Sequence, residues 1–274
     1  MRLPFTMTGD ILMKVFDFHT HIYPERIAKK AAVSVREFYN MPSDYIGTSK
    51  ELLEVGKRAG IEKFLILPVA IRPDQVKNIN QFVSEEVAAH EEFYGFGTVH
   101  AGMDGICDEV ENIKALGLRG IKMHPDTQLF AIDDERLFPM YDMIQGDIPV
   151  IFHSGDPRYD YSHPRKIKRI LEMFPKLTVI AAHFGGWSLF EEALENLKDT
   201  DCYVDVSSSM MFQSREETMY YISQYGVDRV LFGTDYPLGN PEREMQSFLQ
   251  LGLSDDDKEK ILYKNASELL GIKW

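Results

Sequence analysis

The chain has 274 residues, of which 44% are hydrophobic and 27% are charged, a composition typical of a globular protein with room for one large domain. Its 43 acidic and 30 basic side chains give a net charge of -13, which argues against non-specific binding to nucleic acid or anionic lipid. No apolar run approaches the roughly 20 residues that span a bilayer, and two cysteines make no disulfide framework. We therefore expect a cytoplasmic protein that binds neither nucleic acid nor a membrane.

The first predicted strand covers residues 14–22, and residues 1–12 before it are either an upstream extension, with the natural start at Met13, or a short edge hairpin. In KVFDFHTHI, the period-two alternation of a strand places Asp17, His19 and His21 on one face and Phe16 and Phe18 on the other. Three polar groups on one face need water, a polar network or a metal ion as a partner. We expect Asp17 to support a ligating histidine or to lie at the bottom of the fold.

Short strand-like runs and amphipathic segments alternate along the rest of the chain. Further strands are predicted at residues 63–70, 93–100, 118–124, 148–154, 177–184, 201–208 and 228–235, with helices between them at 74–92, 105–116, 135–145, 165–174, 189–197 and 215–225. Eight strand–helix units indicate one (β/α)8 TIM barrel over residues 1–274, with a helical rim insertion at 24–60 and a closing helix at 254–270. The alternative is a doubly wound open sheet, but no glycine-rich phosphate loop follows the first strand.

Polar side chains occur where these predicted strands end. The set comprises His19, His21, Lys122, His124, His153, His183 and Asp235. Because the carboxyl ends of barrel strands meet at one mouth, we expect these groups to lie together although they are far apart in sequence. Arg72 and Arg158 follow two of the strands, and with Lys122 and His124 they are our candidates for binding an anionic substrate. The alternative for both arginines is an ordinary salt bridge on the rim.

Five of these segments carry a family resemblance. DFHTHIYP, GIKMHP, VIFHSGDP, VIAAHFGG and LFGTDYP occur in this order. Together they resemble the amidohydrolase superfamily, and within it the branch that contains aminocarboxymuconate-semialdehyde decarboxylase, aromatic-acid decarboxylases and uncharacterised hydrolases. The likeness extends from Lys14 to about Ile272. It implies a metal-dependent enzyme built on a TIM barrel.

The resemblance implies one divalent metal ion, most commonly zinc, held by His19, His21, His153 and Asp235. A metal held by imidazoles and one carboxylate lowers the pKa of its bound water to about 7. In that case Asp235 takes a proton from the water and passes it to the leaving group, while His183 orients the nucleophile or steadies the oxyanion. The resemblance leaves Lys122 two roles, of which we favour binding a substrate carboxylate over carrying a carbamate that bridges a second metal.

Three functions follow from this resemblance. The one we favour is hydrolysis of an amide, ester or lactone bond in a small carboxylated molecule by a metal-activated water. The second is non-oxidative decarboxylation of an aromatic or unsaturated acid with the same metal. The third is a barrel that has lost its chemistry and serves as a binding or scaffold protein, which the complete set of predicted ligands argues against. A homodimer is our expectation for the assembly.

Overall fold

The computed structural model describes residues 13–273, so the prediction for residues 1–12 lies outside the described residues. Within this range the chain alternates strands and helices, and every strand pair is parallel. The strands are β1 (Phe16–Thr20), β2 (Lys63–Ile66), β3 (Phe93–Gly95), β4 (Gly97–Thr98), β5 (Ile121–Met123), β6 (Val150–Phe152), β7 (Val179–Ala181), β8 (Tyr203–Asp205) and β9 (Val230–Leu231). They pair in the orders β1-β2-β3 and β4-β5-β6-β7-β8-β9.

The two sheets are joined at Phe96, which separates β3 from β4. The backbone N–H of Phe96 donates to Ile66 O at 3.0 Å, and that of Gly97 donates to Gly120 O at 2.8 Å. β3 therefore pairs with β2, and β4 pairs with β5. Together β3 and β4 form one interrupted strand, which corresponds to the third strand that the sequence predicts.

The first and last strands also meet. Phe18 N–H donates to Phe232 O and Asp235 N–H donates to His19 O, each at 2.8 Å, and Thr20 forms a parallel bridge with Tyr236. These bonds bring β1 beside the chain that follows β9, as closure of a barrel requires. The predicted TIM barrel is confirmed, and the open doubly wound sheet is excluded.

The helices lie between the strands and at the end of the chain. They are α1 (Glu25–Tyr39), α2 (Ser49–Ala59), α3 (Val76–Ala89), α4 (Ile106–Ala115), α5 (Pro125–Gln128), α6 (Phe138–Ile144), α7 (Pro164–Met173), α8 (Phe190–Leu197), α9 (Arg215–Tyr225), α10 (Pro241–Leu249), α11 (Asp255–Glu259) and α12 (Asn265–Leu270). The predicted rim insertion thus contains α1 and α2, and the predicted closing helix is α11 and α12 joined by a π-helical turn at Lys260–Lys264. Among the helices of residues 13–273, not one has the length and apolarity to cross a membrane.

Two apolar clusters stabilise the barrel. Alternate strand residues such as Phe64 and Ile66 face outward into a large cluster shared with the helices. The residues between them face inward, and this inner cluster fills the lower part of the barrel with Phe16, Phe18, Leu65, Leu67, Phe96, Ile151, Ile180, Ala182 and Leu231. Ala266 and Leu270 of α12 belong to the same cluster, so the closing helix packs against its lower end.

The predicted face alternation of the first strand is wrong. Asp17 pairs with Phe64 and Thr20 pairs with Ile66, so β1 advances by three residues over the stretch in which β2 advances by two. This extra residue is a β-bulge, and it changes which residues share a face. Phe18 therefore joins the inner cluster while His19 also points into the barrel, and Asp17 points away from both.

Candidate metal centre

The polar side chains predicted from the strand ends lie at the carboxyl-terminal mouth of the barrel. His19, Lys122, His124, His153, His183 and Asp235 are all buried, with 0% to 8% of each residue exposed, and His21 is partly buried. Buried polar groups are stable only when they find partners, so the partner of each ring nitrogen shows what this cluster can bind.

The rings of His19 and His21 direct unprotonated nitrogen atoms toward the same point. His21 Nδ1 lies 2.6 Å from the carbonyl oxygen of Leu67, and His19 Nδ1 lies 2.9 Å from Asp205 Oδ2. A carbonyl or carboxylate oxygen can only accept, so we infer that Nδ1 carries the proton in both rings. In the neutral imidazoles, both Nε2 atoms are then acceptors. Burial, followed by the charge of Lys122, lowers the pKa of His19 to about 3, which keeps that ring neutral.

Asp235 completes this group. Its Oδ1 lies 3.6 Å from His19 Nε2 and 3.3 Å from His21 Nε2, and one ligand atom from each residue falls within 4.8 Å of the others. Ser208 Oγ donates to the other carboxylate oxygen at 2.5 Å and fixes its orientation. Three converging acceptors, of which His21 is partly buried, fit a cation, and two imidazoles with one carboxylate are a ligand set found in zinc or manganese sites.

The carboxylate that supports His19 is Asp205, not Asp17. Asp17 accepts hydrogen bonds from Thr234 N at 2.9 Å, Thr234 Oγ1 at 2.5 Å and the backbone N of His19 at 3.2 Å. Burial alone would raise the pKa of Asp205, but its contacts with His19 and His183 outweigh burial and lower that pKa to about 2. Sequence reasoning missed Asp205 although DVSS in the seventh predicted strand places it on one face with Ser207.

His183 and His153 form a hydrogen-bonded chain beside this group. His183 Nδ1 donates to Ser207 O at 2.9 Å, which leaves its Nε2 to accept from His153 Nδ1 at 3.1 Å. His153 Nε2 is then a lone pair, and it is buried without a hydrogen-bond partner among the described residues. The closest carboxylate contact of His153 is with Asp126, at 3.9 Å, so the structure places it next to His183 and Asp126.

Backbone strain accompanies two of these side chains. His183 has a φ of 60° and Asp235 a φ of 59°, which is the left-handed region that costs a residue with a Cβ about 1 to 3 kcal/mol. His183 lies two residues beyond the end of β7, and Asp235 lies four residues beyond the end of β9. The strained turns direct their side chains into the mouth instead of continuing the strand alternation.

Lys122 is a buried cation at the centre of the cluster. None of this residue is exposed, and its Nζ lies 3.3 Å from His19 Nε2. Burial lowers the pKa of Lys122 to about 8, against the opposing charges of Asp205 and Asp235. Because the Lys122 ammonium is hydrogen-bonded to a neutral imidazole, it can still form an ion pair with a bound anion.

The two arginines occupy different positions. Arg72 is exposed and paired with exposed Asp74 at 2.9 Å, so the structure places it on the rim outside the polar cluster. Arg158 pairs with buried Asp156 at 2.6 Å, and its guanidinium lies over the ring of Phe38, 4.6 Å from the centroid. Arg158 also donates to Phe38 O and so holds the end of α1 in place.

The end of α1 roofs the cluster with aromatic rings. Tyr39 packs against Trp187 and His153 with ring centroids 5.2 Å and 5.9 Å apart, and its hydroxyl lies 2.5 Å from His124 Nε2. His124 in turn stacks in parallel on His153 with centroids 4.0 Å apart. Tyr39 belongs to the rim insertion, and sequence reasoning did not identify it.

The sequence of residues 16–272 matches the amidohydrolase family (Amidohydro_2: Amidohydrolase). The chain belongs to this family. Its members are metal-dependent enzymes, and this chain is an enzyme of that class. The resemblance drawn from the five strand-end segments is confirmed.

Three known proteins illustrate the likeness. Decarboxylase orsB of Emericella nidulans is 25% identical over a match that covers 46% of each chain, so the match spans about half of that curated relative. An uncharacterised TIM-barrel protein from Bordetella bronchiseptica has a TM-score of 0.77 and 23% identity, covering 94% of this chain and 98% of its own. A dihydroxybenzoic acid decarboxylase from Polaromonas, with bound manganese and 2-nitroresorcinol, has a TM-score of 0.75 and 17% identity, covering 94% and 97%. These two structures share the fold of this chain.

Proposed function

We propose that this chain catalyses the metal-dependent, non-oxidative decarboxylation of a small aromatic or unsaturated carboxylic acid. The observation that carries the proposal is the buried ammonium of Lys122 beside the three convergent acceptors, under a roof of aromatic rings. A cation at the floor fits a carboxylate, and flat rings above it fit a planar molecule. The decarboxylases among the similar proteins support the reaction type.

His19, His21 and Asp235 would hold the divalent metal, for which zinc is our first expectation and manganese the alternative. The resemblance adds His153, whose contacts in the structure are with His183 and Asp126. When bound, the metal supplies a Lewis acid that draws electron density from substrate oxygen atoms. The side chains around it then position the substrate and handle the proton.

Lys122 would bind the substrate carboxylate, and His124, two residues further along the same strand end, would contact the substrate under Tyr39. As the bond to the carboxyl carbon breaks, carbon dioxide leaves and the electron pair stays on the substrate carbon. That carbon then takes a proton that Asp235 or His183, both hydrogen-bond acceptors in the resting site, accepts from solvent as the substrate binds; these side chains follow β9 and β7. Tyr39 and Trp187 would exclude water from this step.

Hydrolysis of an amide, ester or lactone is the second candidate. The sequence analysis favoured hydrolysis. Arg158, which it also named as a candidate for binding the anionic substrate, is held by Asp156 and Phe38 in the structure. What favours hydrolysis is the Asp235 carboxylate beside the two imidazole lone pairs, where it can take a proton from water. The family name points the same way.

A substrate panel separates these functions. Zinc- or manganese-loaded enzyme is assayed for carbon dioxide release from hydroxybenzoates and unsaturated acids, and for cleavage of lactones, esters and dipeptides. We expect carbon dioxide release that Asp235→Asn abolishes. Cleavage of a lactone or amide without carbon dioxide release would establish hydrolysis instead, and a protein that holds no metal and turns over nothing would support the scaffold hypothesis.

The cytoplasmic location and the homodimer remain predictions from the sequence. Light scattering of the purified protein tests the second of them directly, since a dimer has twice the 31.5 kDa mass of the chain.

A further inference from the structure

The histidines of the candidate metal centre differ in what holds their outer ring nitrogens. His19 Nδ1 lies 2.9 Å from Asp205 Oδ2, and His21 Nδ1 lies 2.6 Å from Leu67 O. A ring that binds a metal through one nitrogen usually donates its other N–H to an oxygen, which fixes the ring and its tautomer. His153, the third histidine of the proposed site, has a buried Nε2 with no hydrogen-bond partner among the described residues.

The Nδ1 edge of His153 faces the metal centre. Its Nδ1 lies 3.1 Å from His183 Nε2, and the His183 ring stacks on that of His19 with centroids 5.0 Å apart. Its Nε2 lies on the other edge, 3.9 Å from Asp126 Oδ2. A ring nitrogen that binds a metal carries no proton, so with Nδ1 as the ligand the one proton of the neutral ring is on Nε2, beside Asp126.

Asp126 has the free acceptor that this proton needs. The residue is 1% exposed, its Oδ2 accepts from Ser162 Oγ at 2.5 Å, and its Oδ1 is buried without a hydrogen-bond partner in the described part of the chain. In the metal-free chain the proton of His153 is on Nδ1, so the Nε2 lone pair and the carboxylate are two acceptors that repel each other. Their separation is accordingly about 1 Å longer than a hydrogen bond. A proton on Nε2 replaces this repulsion with a charge-assisted hydrogen bond.

The ring of His124 can supply a second proton to the same carboxylate. It stacks on His153 with 5° between the planes, and one nitrogen of each ring lies within 4.8 Å of an Asp126 oxygen. Burial lowers the pKa of His124 and keeps this ring neutral. When the Tyr39 hydroxyl donates to His124 Nε2, the ring proton is on Nδ1, which is buried without a partner in the described chain. Two parallel N–H groups fit a carboxylate, which offers one oxygen to each ring.

We propose that Asp126 is the positioning residue of His153. Its carboxylate accepts the Nε2–H of His153 and so turns Nδ1 toward the metal centre of His19, His21 and Asp235. This role rests on the metal site of the proposed function but not on the reaction that the site catalyses. It gives His153 the oxygen partner that the other two histidines already have, and Asp126 strengthens metal binding without being a ligand.

Zinc affinity tests this role. Each purified chain is stripped of metal and titrated with zinc against a chromophoric chelator, and the metal-free form is unfolded with urea. We expect Asp126→Asn to bind zinc about 10-fold more weakly and Asp126→Ala up to about 100-fold more weakly, because the loss of a ligand's outer partner has effects of this size. The metal-free Asp126→Asn protein should be at least as stable as the wild type, because the repulsion with His153 Nε2 is gone.

A matched control separates this role from a purely structural one. Glu109→Gln changes another buried carboxylate, which contacts Asn80 on the outside of the barrel, so its zinc affinity should equal that of the wild type. Nuclear magnetic resonance of zinc-loaded protein with isotope-labelled histidine then observes the hydrogen bond itself. The Nε2–H of His153, identified through its contacts with the stacked ring of His124, should resonate downfield in the wild type and in Glu109→Gln and move upfield in Asp126→Asn.

Three results would overturn the role of Asp126. The first is a zinc affinity in both Asp126 variants within about twofold of the wild type. The second is a metal-free Asp126→Asn protein that loses as much stability as zinc affinity, and the third is a His153 resonance that this variant leaves in place. The proposed function fails differently. A wild type that binds no zinc would reject the metal site and this role together, whereas zinc binding that Asp126→Asn weakens, without carbon dioxide release from any acid, would reject decarboxylation alone.

Discussion

Along β6 and the residue after it, Ile151 lies in the apolar lower half of the barrel interior and His153, two residues further on, lies in the polar upper half. Both are almost completely buried, at 0% and 3% exposure. The same change occurs between Phe18 and His19 in β1. Burial is therefore equal in the two halves, and what differs is how the buried groups are stabilised.

In the lower half, contact between apolar rings and side chains is sufficient. Phe18 meets Phe96 edge to face with centroids 6.2 Å apart, and Phe16 packs against Tyr94 at 5.5 Å. Removing such surfaces from water contributes about 25 cal/mol per Å² to folding. The upper half instead depends on hydrogen bonds and charges that are complete only when a ligand is present. The comparison indicates that the lower half supplies stability, while the upper half gives up stability for binding and chemistry.

The largest expected effect is on activity in the upper half. Asp235→Asn removes the carboxylate from the metal centre, and we expect the rate to fall by about 10⁴-fold, which is about 5.5 kcal/mol of transition-state stabilisation. We also expect metal content to fall by one ion while the free energy of unfolding of the metal-free protein changes little. Urea unfolding and metal analysis check both, and unchanged turnover would remove Asp235 from the mechanism.

In the lower half the expectation is reversed. Phe96→Ala opens a cavity among fully buried side chains, and we expect it to lower the free energy of unfolding by about 3 to 5 kcal/mol. The rate per folded molecule should change little, because the ring lies below the polar cluster. Phe212→Ala is the control, since that ring is 49% exposed and should cost less than about 0.5 kcal/mol. A large loss of metal affinity in Phe96→Ala would show that the halves are not separable.

Lys122 tests the difference between the two halves, because a buried ammonium in the upper half should lower the free energy of unfolding. Its pKa of about 8 in the metal-free folded chain lies below the ordinary 10.5, so the unfolded state binds more protons between these two values. The free energy of unfolding should therefore rise with pH from about 8 to 10.5, by on the order of 3 kcal/mol. Lys122→Met should remove this dependence and raise stability below pH 8, while turnover is lost. Parallel wild-type and variant pH curves would contradict this account.

The smallest expected effect is at the roof. Tyr39→Phe keeps the ring against Trp187 but removes the hydroxyl that contacts His124. We expect a loss of about 1 kcal/mol, equivalent to a five- to tenfold lower kcat/KM, with an unchanged melting temperature. Tyr159→Phe is a matched control in the same aromatic surface. An equal effect of both variants would mean that the hydroxyl has no special role.

The sequence was sufficient for the features that depend on local pattern. Strand–helix alternation predicted the barrel, and polar residues at strand ends predicted that His19, His21 and Asp235 would meet across more than two hundred positions. The bulge in β1 could not be predicted, because it exists only in the register with β2. Tyr39 was missed for a similar reason: its place under the rim depends on how α1 packs and on Arg158, not on any periodicity near residue 39. Asp126 follows a strand-end histidine, but its orphaned oxygen becomes visible only in three dimensions.

The bulge in β1 has a consequence for protein engineering. On a regular strand, turning both imidazoles of the His19–His21 pair inward would turn Phe16 and Phe18 outward. The extra residue between Asp17 and Thr20 lets a single strand deliver phenyl rings to one interior layer and imidazoles to the next. Anyone transplanting this histidine pair into another scaffold would have to carry over the irregular backbone with it, or accept a void beneath the new site.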